Sequence, residues 1–427
     1  MRRVLQRLRR RRISVRPTAR GWQAILFGVL SLVAGWLVGT TQLYQLAYAL
    51  LGLLVAAFVL GRFFSRGLEY ERRLPAGERF VAGRSSSIRL TIHNASQGRS
   101  PMVEVVDYLP KRRLLGAPPV EGRRTQTLQE PVFFERRGLY QLGPAEILTT
   151  DPFGLLCFTR RFVTREEVTV YPQVFELVGF PLRGRGGVSG ARGSLGRRGD
   201  EFSGLREYRQ GDDRRHIHWK SVARRGELVV KEFAQDAPRR HAVVLDLHRP
   251  GIGVPEVEIE DAVSAAGSVL LHLAREGLPF RLLCTSKERG ATAYGKDEPA
   301  YWRTMDLLAA TRADGETQLE DFLNEKLREE REDLGEGVVL ISRSPLDGLV
   351  ESAHELRASG LSVVVVALAT HTYRTVGTAP RREAAFCEDV RRMELAGADV
   401  SVVRRPGGMA TLAGGQPQEA ANGRGAV

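Results

Sequence analysis

Two long apolar runs open the chain. Residues 21–39 read GWQAILFGVLSLVAGWLVG and residues 43–61 read LYQLAYALLGLLVAAFVLG, with no charge anywhere in 21–61. A hydrocarbon core of about 30 Å needs roughly 20 helical residues to cross, so each run predicts a transmembrane helix. The short link at residues 40–42 predicts a hairpin. Gln23 and Gln45 are the strongly polar residues, and both lie near an end. Trp22, Trp36, Tyr44 and Tyr48 suit interfacial positions. A signal peptide has a single, shorter apolar region with a cleavage site, so two full-length runs favour an anchor.

Beyond the apolar runs the pattern shortens. In SIRLTIH at 87–93, Ile88, Leu90 and Ile92 alternate with polar residues, which predicts a half-buried strand. Further strands are expected at 102–109, 131–135, 138–142, 146–149 and 167–171. Many short strands without helices between them suggest an antiparallel, sandwich-like module. Asp151-Pro152-Phe153-Gly154 has turn chemistry: Asp opens, Pro fixes φ and Gly permits positive φ. From residue 241 the pattern becomes alternating. Strands are expected at 241–247, 280–284, 337–342, 362–368 and 399–403. Helices are expected at 257–276, 301–310, 319–330, 347–359 and 382–396. This alternation predicts a doubly wound parallel sheet. The fold class is therefore multi-domain: a two-helix transmembrane hairpin, an antiparallel β-sandwich-like module and an α/β doubly wound domain. The boundaries read as a basic head at 1–20, the spans at 21–61, a β-rich module at 67–181, a Gly/Arg linker at 182–199, a charged segment at 200–236, the α/β domain at 237–407 and a disordered tail at 408–427.

Charge orients the hairpin. The chain of 427 residues has net charge +13, and its first twenty residues hold nine Arg and no acid. Arg62, Arg66, Arg72 and Arg73 follow the second span, while the hairpin tip has no Lys or Arg. The positive-inside rule then places both termini in the cytoplasm. The expectation is a plasma-membrane protein with two spans and cytoplasmic soluble domains, its basic head against anionic lipid. A Gly/Arg linker can also bind RNA, but no aromatics are interleaved here to stack bases; nucleic acid is not expected as a partner. Cys157, Cys284 and Cys387 lie far apart, each in or near an apolar run, and read as buried free thiols.

Residues 199–233 are the most densely charged: GDEFSGLREYRQGDDRRHIHWKSVARRGELVVKEF. Phe202, Leu205 and Tyr208, three apart, suggest one apolar face of a short helix or turn; Ile217 and Trp219 look inward, and 228–233 reads as a strand. Asp200, Glu201, Asp212 and Asp213 could hold Mg²⁺, and His216 and His218 share a face on a strand. Arg206, Arg209, Arg214, Arg215, Lys220, Arg224 and Arg225 stand among them and favour Arg–carboxylate pairing around Trp219 instead. The expected role is a docking surface made by Arg206, Tyr208, Gly211, Asp212, Arg214, Ile217, Trp219, Lys220 and Arg224.

The run REYRQGDDRRHIHWKSVARRGELVVKEF resembles the signature of the domain-of-unknown-function 58 family. The resemblance extends to the two N-terminal spans, the DPFGL turn, the VYPQV stretch and a von Willebrand factor A-like C-terminal domain. It implies a MoxR-type AAA+ ATPase as partner, and often a transglutaminase-like membrane protein. The von Willebrand factor A-like fold often holds a divalent metal through Asp-x-Ser-x-Ser after its first strand. The matching stretch here is Asp246-Leu247-His248-Arg249-Pro250, with His248 and Pro250 in place of the serines, so the metal site is degenerate. No phosphate-loop or dinucleotide motif is present, and no cofactor is expected. The reading is a membrane-anchored adaptor or scaffold, not an enzyme, working with the ATPase in envelope-related assembly or stress response. The alternative is a metal-dependent hydrolase using Asp200, Asp212, His216 and His218; nucleic-acid binding through the Arg-rich head and linker is a third.

Overall fold

A computed structural model describes residues 13–412, except 76, 164, 178, 183–201, 208–218, 220–228, 234–238, 250, 252, 253, 289, 344, 374–379, 406, 410 and 411. Its contacts divide the chain into two units, Met1–Gln173 and Val174–Val427.

The first unit begins with strand β1 (Ile13–Pro17), so the last part of the expected basic head is sheet. The helices α1 (Ala19–Val38) and α2 (Thr41–Ser65) follow, both long and apolar enough to cross a membrane. Thr18 caps α1 by accepting from the Gly21 amide, and Gly39 ends it with φ of 73°, where a residue lacking Cβ is least strained. Large apolar side chains such as Phe27, Leu30 and Leu51 are exposed along both helices; the core helix of a soluble domain would bury them.

Among the described residues, ten further strands follow: β2 (Leu68–Arg73), β3 (Phe80–Val81), β4 (Ser85–Asn94), β5 (Val103–Leu109), β6 (Lys111–Ala117), β7 (Thr125–Phe133), β8 (Gly138–Leu142), β9 (Ala145–Thr150), β10 (Leu156–Phe162) and β11 (Glu166–Tyr171). They form sheets ordered β1-β10-β9-β5-β6, β2-β4-β7 and β3-β11-β8. Pairing is antiparallel except for β3 with β11. Residues from all three sheets, among them Leu90, Val105, Ile147 and Val170, meet in one core. The strand expected at 131–135 is the end of β7, whose whole length pairs with β4. Cross-strand pairing set that extent, because the exposed polar half of β7 gives little local signal.

The hairpin is seated on this unit by two glycines. A Cβ on Gly21 would overlap the Leu155 carbonyl oxygen, and one on Gly61 would overlap the Phe158 ring. Gly21→Ala and Gly61→Leu are each expected to lower stability by about 1–3 kcal/mol, the usual range for overpacking. Gly52→Ala, with nothing within 4 Å of its added carbon, should change nothing. Melting of the detergent-solubilised chain, with limited proteolysis around 151–158, reads the difference.

The second unit holds a two-stranded ribbon, β12 (Phe202–Glu207) with β13 (Val229–Phe233), and a parallel sheet. The sheet strands are β14 (His241–Leu245), β15 (Phe280–Cys284), β16 (Gly337–Ser342), β17 (Ser362–Leu368) and β18 (Asp399–Val403), in the order β15-β14-β16-β17-β18. The helices are α3 (Glu256–Arg275), α4 (Glu298–Ala310), α5 (Leu319–Glu329), α6 (Leu349–Ala358) and α7 (Pro380–Leu395). Leu323, Leu349 and Met393, from α5, α6 and α7, pack on one sheet face through Val244, Leu340 and Val365. Helix α3 packs against the same strands with a nearly continuous buried stretch from Asp261 to Leu270. Strands buried on both faces explain the uninterrupted apolar runs.

His241 opens β14 and is buried. Burial, ahead of the raising effects of a backbone hydrogen bond at Arg239 and of Glu336, holds its imidazole below the ordinary value of 6.5. The folded unit then binds fewer protons than the unfolded chain below about pH 6.5, so stability should fall as pH drops through that value. His241→Gln should flatten the melting temperature between pH 5 and 7, and an unchanged profile would remove this histidine from the account.

Candidate functional site

Two places in the second unit carry the residues singled out by sequence. The first is the ribbon. Phe202 pairs with Phe233 and Arg206 with Val230, with a register irregularity between Phe202 and Gly204. The helical face expected from Phe202, Leu205 and Tyr208 is therefore replaced by a strand. Cross-strand hydrogen bonding outweighs a three-residue spacing too short to nucleate a helix. Trp219, which lies between the two strands in sequence, is 65% exposed, and this corrects the inward placement expected for it. Tyr208, Gly211, Asp212, Arg214, Ile217, Lys220 and Arg224 lie outside the described residues. So do Asp200, Glu201, Asp213, Arg209, Arg215, Arg225, His216 and His218, and with them the proposed carboxylate–histidine cluster.

The second place is the carboxyl edge of the parallel sheet, where ligands of such folds collect. Asp246 follows β14 and is buried. Its carboxylate accepts from the His248 amide at 3.0 Å and from the Arg343 amide at 3.2 Å. Arg343, just past β16, turns its own side chain into the edge. Its Nη1 reaches the Asp246 carbonyl at 3.4 Å and the His248 carbonyl at 3.3 Å. Its Nε lies 3.4 Å from Oε1 of Glu258, in the first turn of α3, with both side chains almost wholly buried. A divalent cation needs several oxygen ligands. Here the oxygens that face the edge already surround a fixed guanidinium, so the residues present do not fit a metal. Among the described residues, no group of three or more His, Cys, Asp or Glu is placed to hold one. Pro250 lies outside the described residues.

Further along the same edge, Arg405 forks onto Asp261 through Nε and Nη2, both at 3.1 Å, and the Tyr373 hydroxyl donates to Asp261 at 2.8 Å. Burial, then the Asp261 charge, pushes the Tyr373 phenol far above its ordinary range. Glu383 takes His371 and Arg404 together. The hydrogen bond to His371, ahead of the Arg404 charge, holds the Glu383 carboxyl low. These pairs join the segments after β17 and β18 to α3 and to the first turn of α7. Arg343, Glu258, Asp261 and Arg405 were missed by sequence reasoning. Their one signal is an arginine or acid placed just after an apolar strand or within an apolar helix face. Of the three thiols, Cys284 is buried, Cys157 half-buried and Cys387 exposed, so the expectation of burial is corrected for Cys387.

A curated relative, "Uncharacterized protein YeaD" of Bacillus subtilis (strain 168), is 22% identical over 208 residues, covering 48% of this chain and 50% of the relative. The chain thus spans about half the length of the curated relative it matches. Among solved structures, the CARDB domain of a Pyrococcus furiosus protein aligns over 24% of this chain and 94% of its own, at 12% identity and a TM-score of 0.19. A GH2 beta-galacturonidase from Eisenbergiella tayi aligns over 79% of this chain and 56% of its own, at 11% identity and a TM-score of 0.15. Neither likeness bears on the fold. Residues 204–369, from the signature ribbon through β17, match the family described as "Protein of unknown function DUF58".

Proposed function

We propose that this chain is a membrane-anchored adaptor whose soluble units face the cytoplasm and act by binding other proteins rather than by catalysis. One observation carries the reading: charge is distributed asymmetrically about the hairpin. Arg16, Arg20, Arg62 and Arg66 flank the outer ends of α1 and α2, whereas the tip at residues 39–42 carries none. Positive charge held back on the cytoplasmic side then leaves both soluble units there, in a plasma membrane.

The partner is a MoxR-type AAA+ ATPase, with a transglutaminase-like membrane protein as a second, in envelope-related assembly or stress response. An exposed Trp219 in a densely charged sequence supports docking, because aromatic and Arg anchors dominate binding energy. Arg206, Tyr208, Gly211, Asp212, Arg214, Ile217, Lys220 and Arg224 complete the proposed docking tract. The all-parallel sheet order supports a von Willebrand factor A-like fold for the second unit, and its carboxyl edge is filled by arginine–carboxylate pairs instead of metal. After detergent extraction the full chain should co-elute with the ATPase, and Trp219→Ala should weaken that association by tenfold or more, the loss of about 1.4 kcal/mol. Clean separation of the parent chain from the ATPase would overturn the partner. A reporter fused after Gly61 that proved to be exported would overturn the orientation.

A further inference from the structure

The DPFGL turn does more than reverse the chain. Strand pairing sets Pro17 opposite Leu156, which brings residues 151–155 beside the start of α1. The Thr18 amide donates to the Leu155 carbonyl at 2.8 Å, and its hydroxyl donates to the Gly154 carbonyl at 2.7 Å. Leu155, Leu156 and Phe158 form an apolar cluster with Ala57 of α2, and Ala24, Leu53 and Leu54 pack against it. Arg62 is the first charge after α2's apolar run. At 1.5 Å per helical residue, Ala57 lies about 7.5 Å and Leu53 about 13.5 Å from Arg62 towards the tip. The apolar cluster that the turn joins therefore reaches below the level of Arg62, while Gly154 itself lies beside Arg20 at the start of α1.

Its polar groups suit that depth. The Asp151 amide donates to the Leu156 carbonyl at 3.1 Å, and the Gly154 amide to the Asp151 carbonyl at 3.0 Å. The Phe153 and Leu156 amides donate to the Asp151 carboxylate, which is buried. Pro152 has no amide to satisfy. A backbone group left unpaired next to lipid costs several kcal/mol, and this turn pairs the amides of Asp151, Phe153, Gly154 and Leu156 internally. What it leaves outside is Phe153, 44% exposed. Trp22, near the start of α1, and Phe63, near the end of α2, are likewise exposed.

We propose that turn 151–156 is a membrane insert: Pro152 and Phe153 enter the acyl–headgroup boundary of the leaflet on the soluble side, so that the β-rich unit is sunk into the bilayer instead of hanging from a tether. The proposal rests on the hairpin crossing a membrane. The test uses the full chain with its three cysteines replaced by serine, reconstituted in vesicles of phosphatidylcholine and phosphatidylglycerol. A nitroxide is placed singly at Phe153→Cys, at Leu51→Cys in α2 and at Leu114→Cys on β6. Leu51 and Leu114 are 57% and 64% exposed. Collision with dissolved oxygen against a water-soluble nickel chelate reads depth. The label at 153 should prefer oxygen several-fold more than the label at 114, and less than the label at 51. A lipid-like 51 with a water-like 153 overturns the insert while leaving the hairpin standing. A water-like 51 overturns the hairpin reading, and the insert with it.

Discussion

Asp107→Ala is expected to unfold the β-rich unit at temperatures the parent chain survives. Asp107 and Arg72 form an ion pair with both side chains wholly buried. The Arg72 Nε donates to Asp107 at 3.1 Å, and the Tyr70 hydroxyl donates to the same carboxylate. Burial first, and then the Asp107 charge, pushes the Tyr70 phenol far above its ordinary range, so Tyr70 stays a donor. Glu166 stands 3.6 Å from Arg72, and burial raises its carboxyl despite that cation; it is a poor substitute counterion. Removing Asp107 leaves a guanidinium without its partner inside the core, which costs about 3–5 kcal/mol. For a unit of this size that is a fall of about 10 °C in melting temperature. Replacing the whole cluster, with Tyr70→Phe, Arg72→Met and Asp107→Leu together, should recover most of the loss, because a well-packed apolar substitute avoids the desolvation penalty. Calorimetry of the three proteins separates these outcomes. A single variant that melts with the parent would show that the pair is not what holds β2 to β5.

Arg343→Ala should have the next largest effect, in the second unit. The arginine faces the buried Glu258 and the Asp246 and His248 carbonyls. Its contacts, at 3.3–3.4 Å, are longer than those of Arg72, so the loss should fall at the lower end, about 3 kcal/mol. Arg343→Lys keeps the charge but not the fork, and should lose roughly half as much. Adding Glu258→Gln to Arg343→Ala should return part of the stability, since it removes the stranded charge. Urea unfolding of the parent, Arg343→Ala, Glu258→Gln and the double variant gives the coupling between 343 and 258 as the departure from additivity. Additive losses would mean that the arginine and the glutamate do not act on each other, and the guanidinium would then have no claim to the place of a cation.

These two arginines mark what the sequence could and could not give. Arg72 lies in phase with Leu68 and Tyr70 on β2, and Asp107 in phase with Val103, Val105 and Leu109 on β5. The inward direction of each is thus legible from period-two alternation. Their partnership is not, because β2 pairs with β4 and β5 with β6 and β9. The two charges meet across separate sheets, and no local pattern encodes that meeting. The same holds at the carboxyl edge. The apolar runs at 241–245 and 337–342 announced their strands, but the side-by-side placement of β14 and β16 is what carries Arg343 to Asp246.

By itself, then, the sequence determined the two apolar helices, the change from short alternating strands to an α/β repeat, and the bounds of five strands to the residue, at 138–142, 280–284, 337–342, 362–368 and 399–403. Those features depend on hydrophobic periodicity within a dozen or so neighbouring residues, which the chain displays openly. Only the tertiary structure decided that residues 13–17 join the sheet beside 156–160, that Trp219 faces outward, and that a guanidinium fills the edge where a cation was weighed. Each of these depends on contact between segments far apart in sequence. Such contact is set by the burial free energy of the assembled unit, which no single stretch of the chain contains.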